Sequence, residues 1–245
     1  MSAPQEKPFF VGYLPTPDKR KRSSWLIGST LGAIAIVFGV VLSIGQTTAS
    51  QGTWVVSETR VVEGLLALDP YPVLHTAEQS VLLVRPGKHS ADDLVAPYAG
   101  QFVRISAIPI ERGGWLMLEV GADTQIEAIA AIDGISKPAS VAGESIALSG
   151  EIVDSKCFLG VMKPGAGKVH RACAAMCLTG GMPPMLVVTD NEGDRYGYML
   201  VSDAGESVSR RLVPDVAVPV TVAGQLQTRG DLTYLVIGDN AVSRL

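Results

Sequence analysis

The sequence predicts a mainly β protein, in which one N-terminal transmembrane helix is followed by two tandem small β modules. Three observations lead to this fold class. A run of 21 residues near the N-terminus carries no charge, the remainder contains an internal repeat at an offset of 117 residues, and only one copy of that repeat carries a cysteine-containing segment.

The uncharged run covers residues 25–45 and is predicted to be the transmembrane helix. At about 1.5 Å per residue it spans roughly 30 Å, the thickness of a bilayer hydrocarbon core. Four basic residues (19–22) directly precede it, and no such cluster follows. The positive-inside rule therefore predicts a cytoplasmic leader, residues 1–24, and a periplasmic C-terminal ectodomain on a bacterial inner membrane. Because the apolar region of a signal peptide is shorter, we expect a signal anchor, although the small residues at 47–50 leave cleavage open.

The charge balance of the ectodomain argues against nucleic acid as a partner. The chain has 20 Lys and Arg and 24 Asp and Glu, of which five basic and two acidic residues lie in positions 1–50. The rest therefore holds 15 basic against 22 acidic groups, a net charge near −7. A negative domain of this kind lacks the electrostatic footprint that binds nucleic acid or anionic lipid.

The repeat divides the ectodomain into a first module, residues 51–134, and a second module, residues 144–245. Residues 103–121 align without a gap on residues 220–238, so that Arg112-Gly113 meets Arg229-Gly230. Both segments alternate apolar and polar residues around a glycine-containing turn, which is typical of a β-hairpin. Upstream, each copy reads as two strands and a short helix. We therefore expect each copy to supply its own core.

The order of elements within each copy favours a small barrel of the OB type. It comprises about five short strands, with one helix before the closing hairpin. The two copies differ in the link between their first two strands. In the first copy about a dozen residues separate the two apolar strands, whereas in the second copy residues 154–184 intervene. We interpret this segment as a functional insertion that the fold does not need, and the first module as structural or as a docking surface.

All three cysteines and one of the three histidines lie in the insertion, and they are the candidate site residues: Cys157, His170, Cys173 and Cys177. On a helix the last three fall within about 60° of one another, and Cys157 on the preceding loop can fold over that face. Three thiolates and an imidazole would suit Zn(II) or Cu(I). Alternatively, Cys157 forms a disulfide with Cys173 or Cys177, since two cysteines at i and i+4 are poorly placed to bridge each other. Thiol–disulfide exchange fits less well, because the C-x-x-C spacing is missing.

The sequence shows no catalytic motif, so we do not expect an enzyme. It has no G-x-S-x-G, no H-E-x-x-H and no glycine-rich nucleotide loop after a strand. The only cofactor that the residues suggest is copper or zinc. Three methionines near the cysteines favour copper: Met162, Met176 and Met182.

The segments "GEIVDSKC", "CAAMC", "GGMPP" and "MLVV" resemble a small, poorly characterised family of exported or membrane-anchored bacterial domains. The family pattern is G-x-[IV]-V-D-x-x-C followed by C-A-x-x-C-x-x-G-x-P, and here the proline comes one residue later. The resemblance covers residues 150–188 and implies export and a cysteine-centred site, without a reaction. The Cys173-x-x-x-Cys177 spacing is also similar to that of Sco-type copper-delivery proteins, although His170 does not match their distant histidine.

From these features we expect a membrane-anchored, periplasm-facing accessory protein or subunit of a larger membrane complex, with a membrane protein as its partner. The Cys/His element of the second module would be stapled by a disulfide or would bind a metal. The alternative is a protein that binds copper or zinc and delivers it to a membrane oxidoreductase.

Overall fold

The structure is a computed structural model that describes residues 18–47 and 52–245. These residues form two compact units, a long N-terminal helix and a β domain that holds the rest of the described chain. Helix α1 covers Asp18–Thr47, and its segment Arg20–Ile44 contains an 18-residue window with a mean hydropathy of 2.3, so it is long and apolar enough to cross a membrane. A signal sequence has the same properties. Most of the predicted leader, residues 1–17, lies outside the described residues.

The first module is a closed five-stranded barrel. Its strands are β2 (Arg60–Leu68), β3 (Pro72–His75), β4 (Ser80–Val84), β5 (Phe102–Arg112) and β6 (Trp115–Glu119), and two short strands, β1 (Thr53–Trp54) and β7 (Ile126–Ala128), pair with β5. The ring runs β5–β2–β3–β4–β6 and closes where β6 pairs with β5. All neighbours in the ring are antiparallel except β4 and β6.

The second module repeats this ring. Its strands are β8 (Ser140–Asp154), β9 (Pro184–Thr189), β10 (Arg195–Ser202), β11 (Pro219–Arg229) and β12 (Leu232–Ile237), and β13 (Val242–Arg244) pairs with β11. The ring order is β11–β8–β9–β10–β12, and again only the third and fifth strands of the copy pair in parallel. The order 1-2-3-5-4 in both modules is that of an OB-type barrel, which confirms the predicted fold class. We call the two rings the first and the second barrel.

The register shows that the repeat detected in the sequence is structural. Gly64 pairs with Val103 in the first barrel, and Gly150 pairs with Val220 in the second, the two valines being aligned at the offset of 117. Each glycine allows the neighbouring strand to approach. A Cβ on either one would lie 2.3 Å from a backbone oxygen, that of His75 or Val187.

The short helices also follow the predicted order. Between the third and fourth strands, the first barrel has α2 (Asp92–Val95) followed by a 3-10 turn, Ala96–Tyr98, and the second has the 3-10 turn Val213–Asp215. The insertion occupies residues 155–183, between β8 and β9. It contains a π-helical turn (Cys157–Val161), a 3-10 turn (Lys168–His170) and helix α3 (Arg171–Thr179).

Each barrel has its own apolar core, centred on Leu66 and Val103 in the first and on Ile152 and Val220 in the second. A third cluster, which we call the shared core, takes buried side chains from both barrels and from the insertion. It comprises Tyr71, Val73, Leu82, Val84, Ile110, Met117, Val153, Cys157, Phe158, Leu159, Cys177, Met182, Met185, Val187, Met199, Val201, Leu232 and Tyr234. The expectation of fully separate cores is therefore wrong. The insertion fills the space between the barrels, so it is also part of the folded core and not a dispensable loop.

Candidate metal-binding site of three cysteines

The three cysteine sulfurs converge at the end of β8 and the face of α3. Their Sγ atoms all lie within 4.8 Å of one another. Cys157 and Cys177 are 4% and 1% exposed, whereas Cys173 is half-buried and is the sulfur that faces outward. All three are free thiols. The structure thus brings together the three cysteines that the sequence singled out.

Asp154, the last residue of β8, sets the position of Cys157. Its Oδ1 accepts a hydrogen bond from the backbone N–H of Cys157 at 2.9 Å, which starts the helical turn. The chain then returns across this turn at Gly165, where a Cβ would lie 2.1 Å from the Cys157 carbonyl oxygen. This close packing fixes the thiol of Cys157 against α3.

His170 binds the other oxygen of the same carboxylate. Its Nε2 lies 3.0 Å from Oδ2 of Asp154, and both side chains are buried. It belongs to a second group of ligand atoms, with Asp154 and Cys157, that also lies within 4.8 Å. His170 is therefore next to the cysteines through Cys157, and it is not in the group that unites all three sulfurs.

A lysine of the first barrel, which the sequence motifs do not predict, lies against the sulfurs. Lys88 Nζ donates a hydrogen bond to Cys173 Sγ at 2.7 Å and lies 3.9 Å from Cys177 Sγ. It belongs to the turn between the bridged residues Val84 and Ser90. The matching turn of the second barrel, residues 202–206, carries no basic residue, so the fold of the turn does not require one. A comparison of the two turns could have flagged Lys88.

These contacts shift the protonation of the site. The hydrogen bond from Cys157 lowers the pKa of Cys177, and the charge of Lys88 lowers it further against the effect of burial. The same hydrogen bond, together with burial, raises the pKa of Cys157. The bond to Cys173 raises the pKa of Lys88. Cys177 is thus the first of this buried pair to become a thiolate, the form that binds metals.

The turn that carries Lys88 is held from two sides. Lys156, adjacent to Cys157, reaches into the first barrel, where its Nζ donates to the carbonyl oxygens of Arg85 and Gly87 at 2.7 and 3.1 Å. It also forms a buried ion pair of 3.0 Å with Glu119 at the end of β6.

On the other side, the backbone N–H of Ser90 donates to the carbonyl of Gly180, directly after α3. A Cβ at Gly180 would lie 1.8 Å from the Lys88 carbonyl oxygen, so a larger residue does not fit there. Both contacts tie the lysine turn to the segments that carry the cysteines.

The methionines take different positions around the site. Met182 is fully buried in the shared core with Cys157 and Cys177, while Met162 and Met176 are 44% and 60% exposed. Met176, Lys88 and Gly180 help to line a cavity of about 690 Å³ beside the end of α3. The two exposed methionines therefore give less support to copper than their spacing suggested.

Comparisons of the chain with protein-family models, with characterised proteins and with solved structures gave no match. The geometry of the site is therefore the basis for assigning its chemistry.

Proposed function

We propose that this protein is a membrane-anchored metal-binding protein that holds a soft metal ion, copper or zinc, through Cys157, Cys173 and Cys177. The observation that carries the proposal is the convergence of three sulfurs within 4.8 Å, from a loop and a helix. Thiolate ligands favour Cu(I) and Zn(II) among the metals common in proteins.

The third sulfur distinguishes a metal site from a staple. A disulfide uses two cysteines, so a staple explains Cys157 with Cys173 or Cys177 and leaves the remaining thiol without a role. The charge of Lys88 favours the thiolate form of Cys177, which suits metal binding and which a structural disulfide does not need. A disulfide remains the second candidate, because the same short distances between the sulfurs permit it.

His170 supports the site through Asp154. A metal-binding group is commonly oriented by hydrogen bonds from neighbouring carboxylates and amides. Here Asp154 joins the imidazole of His170 to the backbone of Cys157, and so fixes the loop that presents this sulfur. The alternative, in which His170 is a fourth ligand and completes a Cys3His set, is distinguished by metal binding of the His170→Ala and His170→Gln variants.

The N-terminal segment supports the proposed location. The basic residues before the apolar helix support a cytoplasmic N-terminus and a periplasmic ectodomain in a bacterial inner membrane. The likeness to exported bacterial domains with a Cys-centred pattern supports the same location. We propose that the protein serves a larger membrane complex, as an accessory subunit or by delivering its metal to a membrane oxidoreductase.

Metal loading of the full-length protein in detergent tests this function. The reduced protein is incubated with Cu(I) or Zn(II) and desalted, and metal content and intact mass are then measured. We expect one metal per chain with three reduced thiols, and loss of stoichiometric binding in Cys157→Ser, Cys173→Ser and Cys177→Ser. If the protein takes up neither metal and its mass after purification is lower by two hydrogens, the metal site is wrong and the cysteines form a structural disulfide.

A further inference from the structure

The first barrel contributes a positive charge to the site of the second. Lys88 Nζ lies 2.7 Å from one sulfur and 3.9 Å from another, and its turn is held by hydrogen bonds from Lys156 and to Gly180. The ammonium is therefore a built part of the sulfur cluster.

We propose that Lys88 makes the cluster selective for a monovalent soft cation, Cu(I), over Zn(II). This inference rests on the proposed function, that the three sulfurs bind a metal. The geometry supports it by the positive charge that Lys88 holds beside two of the three sulfurs.

Lys88 repels the two ions unequally. Its ammonium carries one positive charge beside the sulfurs, so at the same distance its repulsion of Zn(II) is about twice its repulsion of Cu(I). The lysine repels the second charge of zinc at a separation of a few ångströms, and at the effective dielectric constant of such sites this repulsion shifts the relative affinity by tenfold or more. Lys88 thus penalises the divalent ion.

The test compares metal preference in matched variants of the full-length protein in detergent. Affinities for Cu(I) and Zn(II) are measured by competition with a chromophoric chelator for each metal, and their ratio is the readout. Lys88→Met removes the charge, Lys88→Arg keeps it, and Lys163→Met removes an exposed lysine of the insertion as a control. We expect Lys88→Met to shift the ratio at least tenfold towards zinc, and the other two to stay within threefold of the wild type.

The outcomes separate the two proposals. If Lys88→Met binds metal with an unchanged ratio, the selectivity role is wrong while the metal site stands; if no variant and no wild-type protein binds metal, the proposed function itself fails. A second variant, Lys88→Gln, keeps a hydrogen-bond donor but removes the charge, and serves in case Lys88→Met does not fold. It should shift the ratio in the same direction, and an unchanged ratio would contradict the proposal.

Discussion

The hydroxyl of Tyr71, in the first barrel, donates a hydrogen bond to the carbonyl oxygen of Leu200 in the second barrel at 2.6 Å. Tyr71 lies in the short link between β2 and β3. The insertion is the equivalent link of the second copy, and it reaches the other way, with Lys156 bound to Glu119 of the first barrel. Each copy therefore uses the link between its first two strands to hold the other. This exchange makes the two barrels one folding unit and brings Lys88 to the cysteines.

Replacing Tyr71 by Phe should weaken this junction without unfolding the protein. The ring would still fill its place in the shared core, but the bond to Leu200 would be lost. A buried hydrogen bond of this kind contributes about 1 kcal/mol to the free energy of unfolding. Urea denaturation would measure the loss, and Tyr196→Phe, at an exposed position, is the control. If the Tyr71→Phe variant is as stable as the wild type, the hydrogen bond to Leu200 does not help to hold the two barrels together.

Tyr71 also predicts a loss of stability at alkaline pH. Burial raises its pKa to about 12, whereas in the unfolded chain it lies near 10. Because the folded state favours the neutral phenol, this contribution is fully present below pH 10 and is lost as the pH rises towards 12. Melting temperatures between pH 9 and 12 should fall less steeply in Tyr71→Phe. Part of the fall should persist, since burial also raises the pKa of Tyr234, and identical slopes would contradict the prediction.

A fragment that contains only the second barrel and its insertion, residues 144–245, should not fold cooperatively. In the intact protein, Phe158, Met199 and Tyr234 of this fragment are buried in the shared core with residues of the first barrel. Without that barrel these side chains would face water, and each would forgo about 1.5–3 kcal/mol of burial. Thermal melting with a dye for exposed apolar surface compares the fragment with residues 52–245. A sharp melt of the fragment would show that its own core suffices.

The sequence predicted the barrels because their signals are local. Gly113 and Gly230 mark the hairpin turns, and the alternation of apolar residues fixes which face of each strand is buried. It also predicted that Cys157 can meet Cys173 and Cys177, since helical spacing aligns two of them and a short turn brings the third.

What the sequence did not predict depends on contacts between the barrels. Lys88 is 85 positions from Cys173, and Lys156 is 37 from Glu119, so neither pair leaves a periodic or motif signal. The role of the insertion in the shared core was also missed. In the sequence, Phe158 and Leu159 look like ordinary apolar loop residues. Only the structure shows that they pack in the shared core with side chains of the first barrel.

Breaking the buried ion pair between Lys156 and Glu119 should strongly destabilise the protein. Both side chains are at most 5% exposed, so Lys156→Met leaves an uncompensated carboxylate inside. Removing one partner of such a pair costs about 3–5 kcal/mol, while replacing both by apolar residues is often close to neutral. The double variant Lys156→Met, Glu119→Leu should therefore be more stable than either single one in urea. Arg211→Met, which breaks an ion pair to the exposed Asp239, is the control and should change stability by at most about 1 kcal/mol.

His170 is 4% exposed and is hydrogen-bonded to the buried Asp154, so His170→Ala is not a surface substitution. It should lower stability by about 1–3 kcal/mol whether the cysteines hold a metal or a disulfide, because a buried carboxylate oxygen loses its partner. Stability alone cannot distinguish these states, and metal binding has to be measured on the folded fraction.

If the three sulfurs are the ligands and His170 acts through Asp154, the variant should still bind one metal, with an affinity about tenfold lower. His170→Gln, which can still donate to Asp154, should recover part of the affinity. Complete loss of binding in both variants, equal to that of Cys173→Ser, would instead make His170 a ligand and the site a Cys3His centre. Unchanged affinity in both variants would mean that the hydrogen bond between His170 and Asp154 serves the fold alone, because the loop would then present Cys157 without it.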